Sequence, residues 1–215
     1  MSIPFITVEG PIGVGKTSLS KEISAQFDFY LLKEIVDENP FLGKFYENID
    51  EWSFQTEMFF LCNRYKQLFD INKHLEEKCT PVVADYHIFK NLIFAKRTLK
   101  PSEYEKYEEI YKILTKDMPV PNMIVYLHAS VDTLMSRIAK RGREFEKNIT
   151  REYMEQLSSD YHEFIGSFER MHPEIPVISI NGDEVDFVRH EQDLQNILQQ
   201  VQDKLRGVNI NNEFT

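Results

Sequence analysis

The chain has 215 residues, enough for one α/β domain with a proper core, and its 25 basic against 35 acidic side chains give a net charge of -10. This acidic balance argues against nucleic acid as a partner. No apolar run approaches the ~20 residues of a membrane span, and neither a signal peptide nor a linker is expected. Cys62 and Cys79 lack the spacing of metal ligands, so reduced thiols and a cytoplasmic location are expected. We treat residues 1–215 as a single domain.

The first predicted strand, "IPFITVE" at 3–9, runs directly into the glycine-rich stretch "GPIGVGKTS". This stretch has the spacing G-x-x-x-x-G-K-[ST], in which successive backbone N–H groups point at phosphate oxygens. A helical pattern follows, with Leu19, Ile23 and Phe27 at steps of four, so the order is strand, loop, helix. The loop residues predicted to hold the phosphates of ATP are Gly10, Pro11, Ile12, Gly13, Val14, Gly15, Lys16, Thr17 and Ser18.

Four more strands are predicted along the chain, with long helical patterns between them. They cover residues 29–35, 81–85, 122–129 and 176–180. This alternation predicts a P-loop NTPase-type, doubly wound five-stranded parallel sheet flanked by helices, with ligands beyond the carboxyl ends of the strands. In the helical pattern before the fourth strand, Tyr104, Tyr107 and Tyr111 recur at steps of three and four. We expect them in the core or at a subunit interface.

Acidic residues stand at the ends of the second and third predicted strands. Asp85 closes "PVVAD", and P-loop proteins use such a carboxylate to hold Mg²⁺, with Thr17 supplying a second oxygen. "LLKEIVDENP" offers Glu34, Asp37 and Glu38 as the base that orients and deprotonates an acceptor hydroxyl. Glu34 is the nearest of the three to the strand end, so it is the predicted catalytic base.

Four cations fall within seven residues of this otherwise acidic chain: Arg137, Lys140, Arg141 and Arg143. They suit either a solvated helix end, where basic side chains oppose the helix dipole, or a lid over bound phosphates. We interpret the segment as a lid over about 137–148, since Gly142 interrupts the helical pattern there. Arg141 and Arg143 would then bind the transferring phosphoryl, and Lys16 would bind it from the loop, while water is excluded.

Four ordered motifs resemble the deoxynucleoside kinases, and most closely their bacterial branch that acts on deoxyguanosine: "GPIGVGKTS", "KEIVDENP", "EWSFQTEMFFLCNR" and "RIAKRGREFE". The resemblance covers roughly residues 3–200. It implies transfer of the ATP γ-phosphoryl to a nucleoside 5′-hydroxyl with Glu34 as base, and it suggests a homodimer. It also implies that Tyr46 and Glu146 hold the 3′-hydroxyl. An aromatic wall at Tyr46 would select against a 2′-hydroxyl, because an unpaired buried hydroxyl costs about 1 to 3 kcal/mol.

Three positions depart from the pattern of that family. Many members carry Arg after the acid of the third strand, whereas this chain has Tyr86 after Asp85, so Tyr86 or His87 is expected to support the acceptor oxygen. Asn91 stands where relatives often have Asp, which changes the base pocket. Glu57 stands where many relatives have Gln, two helical turns before Arg.

Glu57 and Arg64 should share one helix face with Phe54, and they are predicted to line the base site together with Asn91. A carboxylate only accepts hydrogen bonds, so Glu57 would accept from guanine N1–H and N2–H while Arg64 approaches O6 or N7. Adenine and cytosine would face Glu57 with a ring-nitrogen acceptor. The prediction is therefore deoxyguanosine, with deoxyinosine as a further candidate, in purine deoxynucleotide salvage; the alternative is that the two residues form a surface salt bridge.

Other functions stay open at this point: a deoxyadenosine/deoxycytidine kinase, a nucleoside monophosphate kinase, or a nucleotide-dependent switch. The acidic "EIVDENP" offers no cations for an acceptor that already carries phosphate, which argues against a monophosphate kinase. "NKHL" at 72–75 lacks the Asp of the N-K-x-D motif and lies in a helical pattern, which argues against a guanine-nucleotide switch.

Overall fold

The computed structural model describes residues 3–36 and 38–211, with side chains described up to residue 206. Within these ranges five parallel strands form one sheet: β1 Phe5–Glu9, β2 Tyr30–Leu32, β3 Val82–Ala84, β4 Met123–His128 and β5 Val177–Asn181. Their order across the sheet is β2-β3-β1-β4-β5. β1 therefore has β3 on one side and β4 on the other, and a doubly wound sheet binds its ligands beyond the carboxyl ends of strands at such a switch point.

The described helices are α1 Lys16–Phe27, α2 Leu42–Glu47, α3 Ile49–Glu76, α4 Lys90–Thr98, α5 Pro101–Thr115, α6 Val131–Arg141, a 3₁₀-helix Glu144–Glu146, α7 Arg151–Met171 and α8 Glu191–Asn211. They cover both faces of the sheet. Phe5 and Val82 belong to one hydrophobic cluster, whereas their neighbours Ile6 and Val83 belong to the other. Alternate residues of a strand thus face opposite layers, which confirms the predicted fold class.

β2 is shorter than predicted because the side chain of Asp85, the residue after β3, binds the backbone just beyond β2. The strand ends at Leu32, because the backbone N–H of Glu34 donates to Asp85 Oδ1 at 2.6 Å instead of pairing with β3. Glu34 therefore lies just beyond the carboxyl edge of the sheet, near Asp85. Asp37, an alternative candidate for the base, lies outside the described residues.

The tyrosines of α5 are part of the packing of α5 against α3 and α4. Tyr107 is fully buried, and Tyr104 and Tyr111 pack partly buried against the same cluster. Of the two predicted locations, the core is the one that the structure supports. None of the helices within the described residues is both long and apolar enough to cross a membrane.

Candidate active site

A cavity of about 980 Å³ lies where the strands β1, β2 and β3 end. It is lined by the phosphate-loop residues 12–18, by Glu34 and Asp85 after their strands, by residues of α3 and α4, and by the lid segment. Most of the predicted site residues therefore share one space. The predicted site residues that line it are Ile12, Gly13, Val14, Gly15, Lys16, Thr17, Ser18, Glu34, Tyr46, Glu57, Arg64, Asp85, Arg141, Arg143 and Glu146.

The phosphate loop is held in its shape by close packing that only glycine permits. A Cβ on Gly10 would lie 2.1 Å from the carbonyl oxygen of Leu127, and Gly10 has a φ of +145°. Lys16 begins α1, and its Nζ donates to the carbonyl oxygens of Gly10 at 2.7 Å and Pro11 at 3.0 Å. Burial, followed by the charge of Lys90, lowers the pKa of Lys16 to about 8. The loop and the α1 N-terminus thus present backbone N–H groups and a half-buried ammonium to the cavity.

Thr17 and Asp85 meet between the phosphate loop and the end of β3. Thr17 Oγ1 donates to Asp85 Oδ2 at 2.5 Å. Burial raises the pKa of Asp85 above its ordinary value, and the hydrogen bond from Thr17 opposes that rise. Within the described residues, no group of three His, Cys, Asp or Glu side chains could hold a metal by itself. A hydroxyl and a carboxylate in contact fit an ion such as Mg²⁺ that takes its other ligands from phosphates and water.

Glu34 is fixed at the centre of the cavity by two cations. Its side chain is 10% exposed; Oε1 accepts from Arg64 Nε at 3.1 Å and from Arg64 Nη2, and Oε2 accepts from Lys90 Nζ at 2.9 Å. Burial alone would raise the pKa of Glu34, but the charges of Lys90, Arg64 and Lys16 together hold it well below its ordinary value. The carboxylate is therefore ionised at neutral pH and lines the same cavity as Lys16.

Sequence reasoning missed Lys90 and expected Tyr86 or His87 to support the acceptor oxygen. Both of those side chains are buried and do not line the cavity; the Tyr86 hydroxyl donates to Gln67 Oε1 at 2.7 Å. Lys90 does line it and bridges both carboxylate oxygens of Glu34. The available signal was a single lysine inside the apolar run "YHIFKNLIF", because lysine is almost never buried without a partner.

Glu9 is a second buried ionisable residue that sequence reasoning passed over. It is the last residue of β1, is fully buried, and accepts through Oε1 from the backbone N–H of His87. Burial raises the pKa of Glu9 to about 7, and the positive charge of Lys90 is the largest opposing influence. An acid between an apolar strand and a phosphate loop was the signal in the sequence.

Glu57 and Arg64 form the other end of the cavity, and both are buried at 2% and 4% exposure. The alternative of a surface salt bridge is therefore wrong. Glu57 Oε1 accepts from Thr98 Oγ1 at 3.5 Å, whereas Oε2 has no hydrogen-bond partner among the described residues. Burial raises the pKa of Glu57 to about 7 against the opposing charge of Arg64. Arg64 itself donates to Glu34 and, through Nη1, to Asn91 Oδ1 at 2.8 Å.

Phe54 and Asn91 do not line the cavity, which corrects two of the predicted base-site residues. Phe54 packs against the hydrophobic cluster around α5, and Phe60 lines the cavity instead. The two phenylalanines lie three residues on either side of Glu57, so helical spacing alone does not separate them. Asn91 is fully buried behind the site and donates through Nδ2 to the Tyr107 hydroxyl at 2.7 Å.

The predicted lid closes one side of the cavity. α6 ends at Arg141 and is capped by Gly142, which has a φ of +68°, and the chain returns so that Glu146 accepts from Arg141 Nε at 3.0 Å. Arg143 Nη1 lies 3.7 Å from Glu146 Oε1. Burial raises the pKa of Tyr46, and the negative charge of Glu146 is the next largest cause. Tyr46 and Glu146 are therefore close enough to interact electrostatically. That the lid moves stays a prediction.

Arg137 ties the lid helix to the phosphate loop. Its Nη1 donates to the carbonyl oxygen of Val14 at 3.1 Å, and its Nη2 donates to that of Gly182 at 2.9 Å. Of the four cations that define the predicted lid, this one is therefore used for backbone contacts. Lys140, Arg141 and Arg143 line the cavity with it.

The sequence model of the deoxynucleoside kinase family matches residues 6–206. The chain belongs to the deoxynucleoside kinase family. It is therefore an ATP-dependent deoxynucleoside kinase, a phosphotransferase, and the alternative of a nucleotide-dependent switch is wrong. A deoxyguanosine kinase of Bacillus subtilis (strain 168) is 54% identical over 200 residues, which cover 93% of this chain and 97% of the relative. A deoxyadenosine/deoxycytidine kinase of the same strain is 31% identical over 204 residues, covering 91% and 90%.

Solved structures of deoxynucleoside kinases share the fold. The deoxyadenosine kinase of M. mycoides with bound dCTP superposes with a TM-score of 0.78 at 26% identity, covering 93% of this chain and 99% of that one. The same enzyme with bound dATP gives a TM-score of 0.77. The charges in the cavity are linked in series: Glu34 interacts with Lys16 of the loop and with Arg64, and Arg64 in turn interacts with Glu57.

Proposed function

We propose that this kinase transfers the γ-phosphoryl of ATP to the 5′-hydroxyl of deoxyguanosine, for purine deoxynucleotide salvage in the cytoplasm. The observation that carries the proposal is Glu57, a buried carboxyl at the far end of the cavity whose Oε2 has no protein partner among the described residues. An ionised carboxylate accepts hydrogen bonds and donates none, and guanine presents two adjacent donors, N1–H and N2–H. The relative that is 54% identical carries the name deoxyguanosine kinase, which supports the proposal.

The same geometry suggests how the transfer proceeds. Lys16 and the loop N–H groups bind the ATP phosphates, and Arg141 and Arg143 approach the moving phosphoryl from the lid. Glu34 accepts a hydrogen bond from the 5′-hydroxyl and takes its proton, because the carboxylate is ionised and faces the phosphate loop. Mg²⁺, when bound with ATP, neutralises phosphate charge, and we propose Thr17 and Asp85 as the residues that hold it.

Tyr46 and Glu146 are proposed to hold the deoxyribose. Both line the cavity, and Glu146 is buried at 5% exposure. Because Glu146 is already oriented by Arg141, it can accept a hydrogen bond from the 3′-hydroxyl at little further entropic cost. The Tyr46 ring packs edge-on against Phe45 and Tyr153, and this packing supports a fixed aromatic wall for the sugar.

The experiment that tests the function measures product formation with ATP and Mg²⁺ for deoxyguanosine, deoxyinosine, deoxyadenosine, deoxycytidine and guanosine. We expect the highest kcat/KM with deoxyguanosine and weak turnover of guanosine. Reactions without acceptor and with deoxyguanosine monophosphate are the controls, and they report ATP hydrolysis and monophosphate kinase activity. Preference for deoxyadenosine or deoxycytidine would overturn the base assignment. We also propose a homodimer, on the family resemblance, to be checked by light scattering of the purified protein.

A further inference from the structure

Lys90 places a buried ammonium group at the centre of the cavity. It is the first residue of α4, and its side chain is 5% exposed. Nζ lies 3.0 Å from Glu34 Oε1 and 2.9 Å from Glu34 Oε2. An ammonium group has three N–H donors, and the carboxylate of Glu34 is the only hydrogen-bond acceptor that Nζ contacts within residues 3–36 and 38–206. One donor is therefore left for a ligand in the cavity.

The charge of Lys90 affects the pKa values of ionisable groups both beside the phosphate loop and at Glu34. Its positive charge is the largest influence that lowers the pKa of Glu34 and the largest that opposes the raised pKa of Glu9. It also contributes to the lowered pKa of Lys16. Lys90 is thus close to both the acceptor side, at Glu34, and the donor side, at Lys16.

We propose that Lys90 is a catalytic residue that donates a hydrogen bond to the 5′-oxygen of the acceptor during phosphoryl transfer. An oxygen that donates to either carboxylate oxygen of Glu34 lies next to Nζ, because Nζ itself contacts both of those oxygens. The proposal rests on the proposed transfer to the 5′-hydroxyl.

The step balances without a further reactant. The 5′-O–H bond breaks and its proton moves to Glu34, the bond between the 5′-oxygen and the γ-phosphorus forms, and the bond from the γ-phosphorus to the bridging oxygen breaks with its electron pair leaving on ADP. Lys90 keeps its protons throughout. Its charge stabilises the 5′-oxygen as negative charge develops there, and it does so from a fixed position inside a buried site.

A role limited to positioning Glu34 predicts a different outcome. Arg64 donates to Glu34 through both Nε and Nη2, so the carboxylate stays anchored when Lys90 is replaced. A positioning residue with such a backup would then change kcat little. Loss of a hydrogen-bond donor to the reacting oxygen lowers kcat by about 100-fold or more.

The test compares Lys90→Met, which keeps the length and removes the charge, with Lys90→Arg and with Lys96→Met, an exposed lysine on the same helix. With deoxyguanosine and ATP, we expect Lys90→Met to lose about 100-fold or more in kcat with KM changed less than about threefold. Lys90→Arg should recover part of the loss, and Lys96→Met should match the wild type. A kcat for Lys90→Met within about threefold of the wild type overturns the proposal.

Two further measurements test the role of Lys90 even if the Lys90 variants fold poorly or the proposed base specificity is wrong. In a crystal of the wild-type enzyme with deoxyguanosine and a non-hydrolysable ATP analogue, we expect Lys90 Nζ within about 3.2 Å of the 5′-oxygen; a separation beyond about 4 Å would refute the contact. If the wild type does not phosphorylate deoxyguanosine, the proposed base specificity fails. Lys90 is then judged by the same comparison with the deoxynucleoside that the enzyme does phosphorylate.

Discussion

Replacing Glu57 by Gln exchanges one oxygen for an amide NH₂ at the base end of the cavity while the size of the side chain is kept. Glu57 is 2% exposed, and Oε1 is already engaged by Thr98 at 3.5 Å. Oε2 is buried and has no hydrogen-bond partner among the described residues, so it is the atom we propose for a hydrogen bond from the base. In Glu57→Gln the amide has one donor group and one acceptor atom. It can accept from one of the two adjacent guanine donors, but its own NH₂ then faces the other donor.

The expected magnitude follows from burial. A hydrogen bond to a charged group contributes about 1.5 to 3 kcal/mol, and a buried donor that is left unpaired costs a comparable amount. Losing one such interaction with guanine lowers kcat/KM for deoxyguanosine by roughly 10- to 100-fold. Adenine presents an acceptor at N1 beside a donor at N6, which matches an amide, so deoxyadenosine should improve. The ratio of kcat/KM for deoxyguanosine to that for deoxyadenosine should therefore fall by about 100-fold or more.

The assay measures kcat/KM for the four nucleosides deoxyguanosine, deoxyinosine, deoxyadenosine and deoxycytidine with saturating ATP. Glu76→Gln is the matched control, since Glu76 is an exposed acid at the other end of α3. Its base ranking should equal that of the wild type. If Glu57→Gln folds with an unchanged melting temperature and keeps the wild-type ranking of the four bases, the proposal that the Glu57 carboxylate selects guanine is refuted.

Three other predictions use the same structure. Burial raises the pKa of Glu57 to about 7, so the carboxylate predominates above that pH and the protonated acid below it. The protonated acid has one donor and one acceptor, as an amide does. The preference for deoxyguanosine over deoxyadenosine should therefore rise between about pH 6 and about pH 8 in the wild type and stay constant in Glu57→Gln. Tyr46→Ala should raise kcat/KM for guanosine relative to deoxyguanosine by about tenfold, and an unchanged ratio in the same assay would remove Tyr46 as the sugar gate. Leu157→Ala, at a fully buried position of α7, should lower the free energy of unfolding in urea by about 2 to 5 kcal/mol with kcat unchanged; a loss under about 1 kcal/mol would mean that α7 packs more loosely than the structure shows.

The phosphate-binding half of the site was predictable because its geometry is local. The loop spacing fixes which backbone N–H groups converge, and Lys16 and Thr17 are covalently adjacent to that loop. Asp85 and Glu34 could be placed because the carboxyl ends of neighbouring parallel strands meet at one edge of the sheet. The predicted strand at 29–35 was too long, since the capture of the Glu34 N–H by Asp85 depends on the side chain of another strand.

The acceptor half of the site was less predictable because it depends on how α3 and α4 pack together. Lys90 and Glu34 are 56 residues apart, and no spacing rule connects them. Phe54 and Phe60 are equivalent in helical spacing from Glu57, and only the packing of α3 in the fold places Phe54 against one hydrophobic cluster and Phe60 in the other, where it also lines the cavity. Sequence reasoning therefore placed Glu57 and Arg64 in the cavity, whereas two other predicted base-site residues, Phe54 and Asn91, lie outside its lining.

In the proposed site, Arg64 would connect base recognition with catalysis in one side chain. Its guanidinium donates to the carboxylate of Glu34 at one end and to Asn91 at the other, while its charge also opposes the raised pKa of Glu57. A base that binds beside Glu57 would therefore lie close to Arg64, the same cation that anchors the carboxylate of Glu34. A wrongly paired base that displaces Arg64 would therefore also loosen Glu34, so discrimination between bases should be expressed in kcat as well as in KM. In the proposed mechanism, a rigid buried network of this kind would make correct binding of the base a condition for phosphoryl transfer.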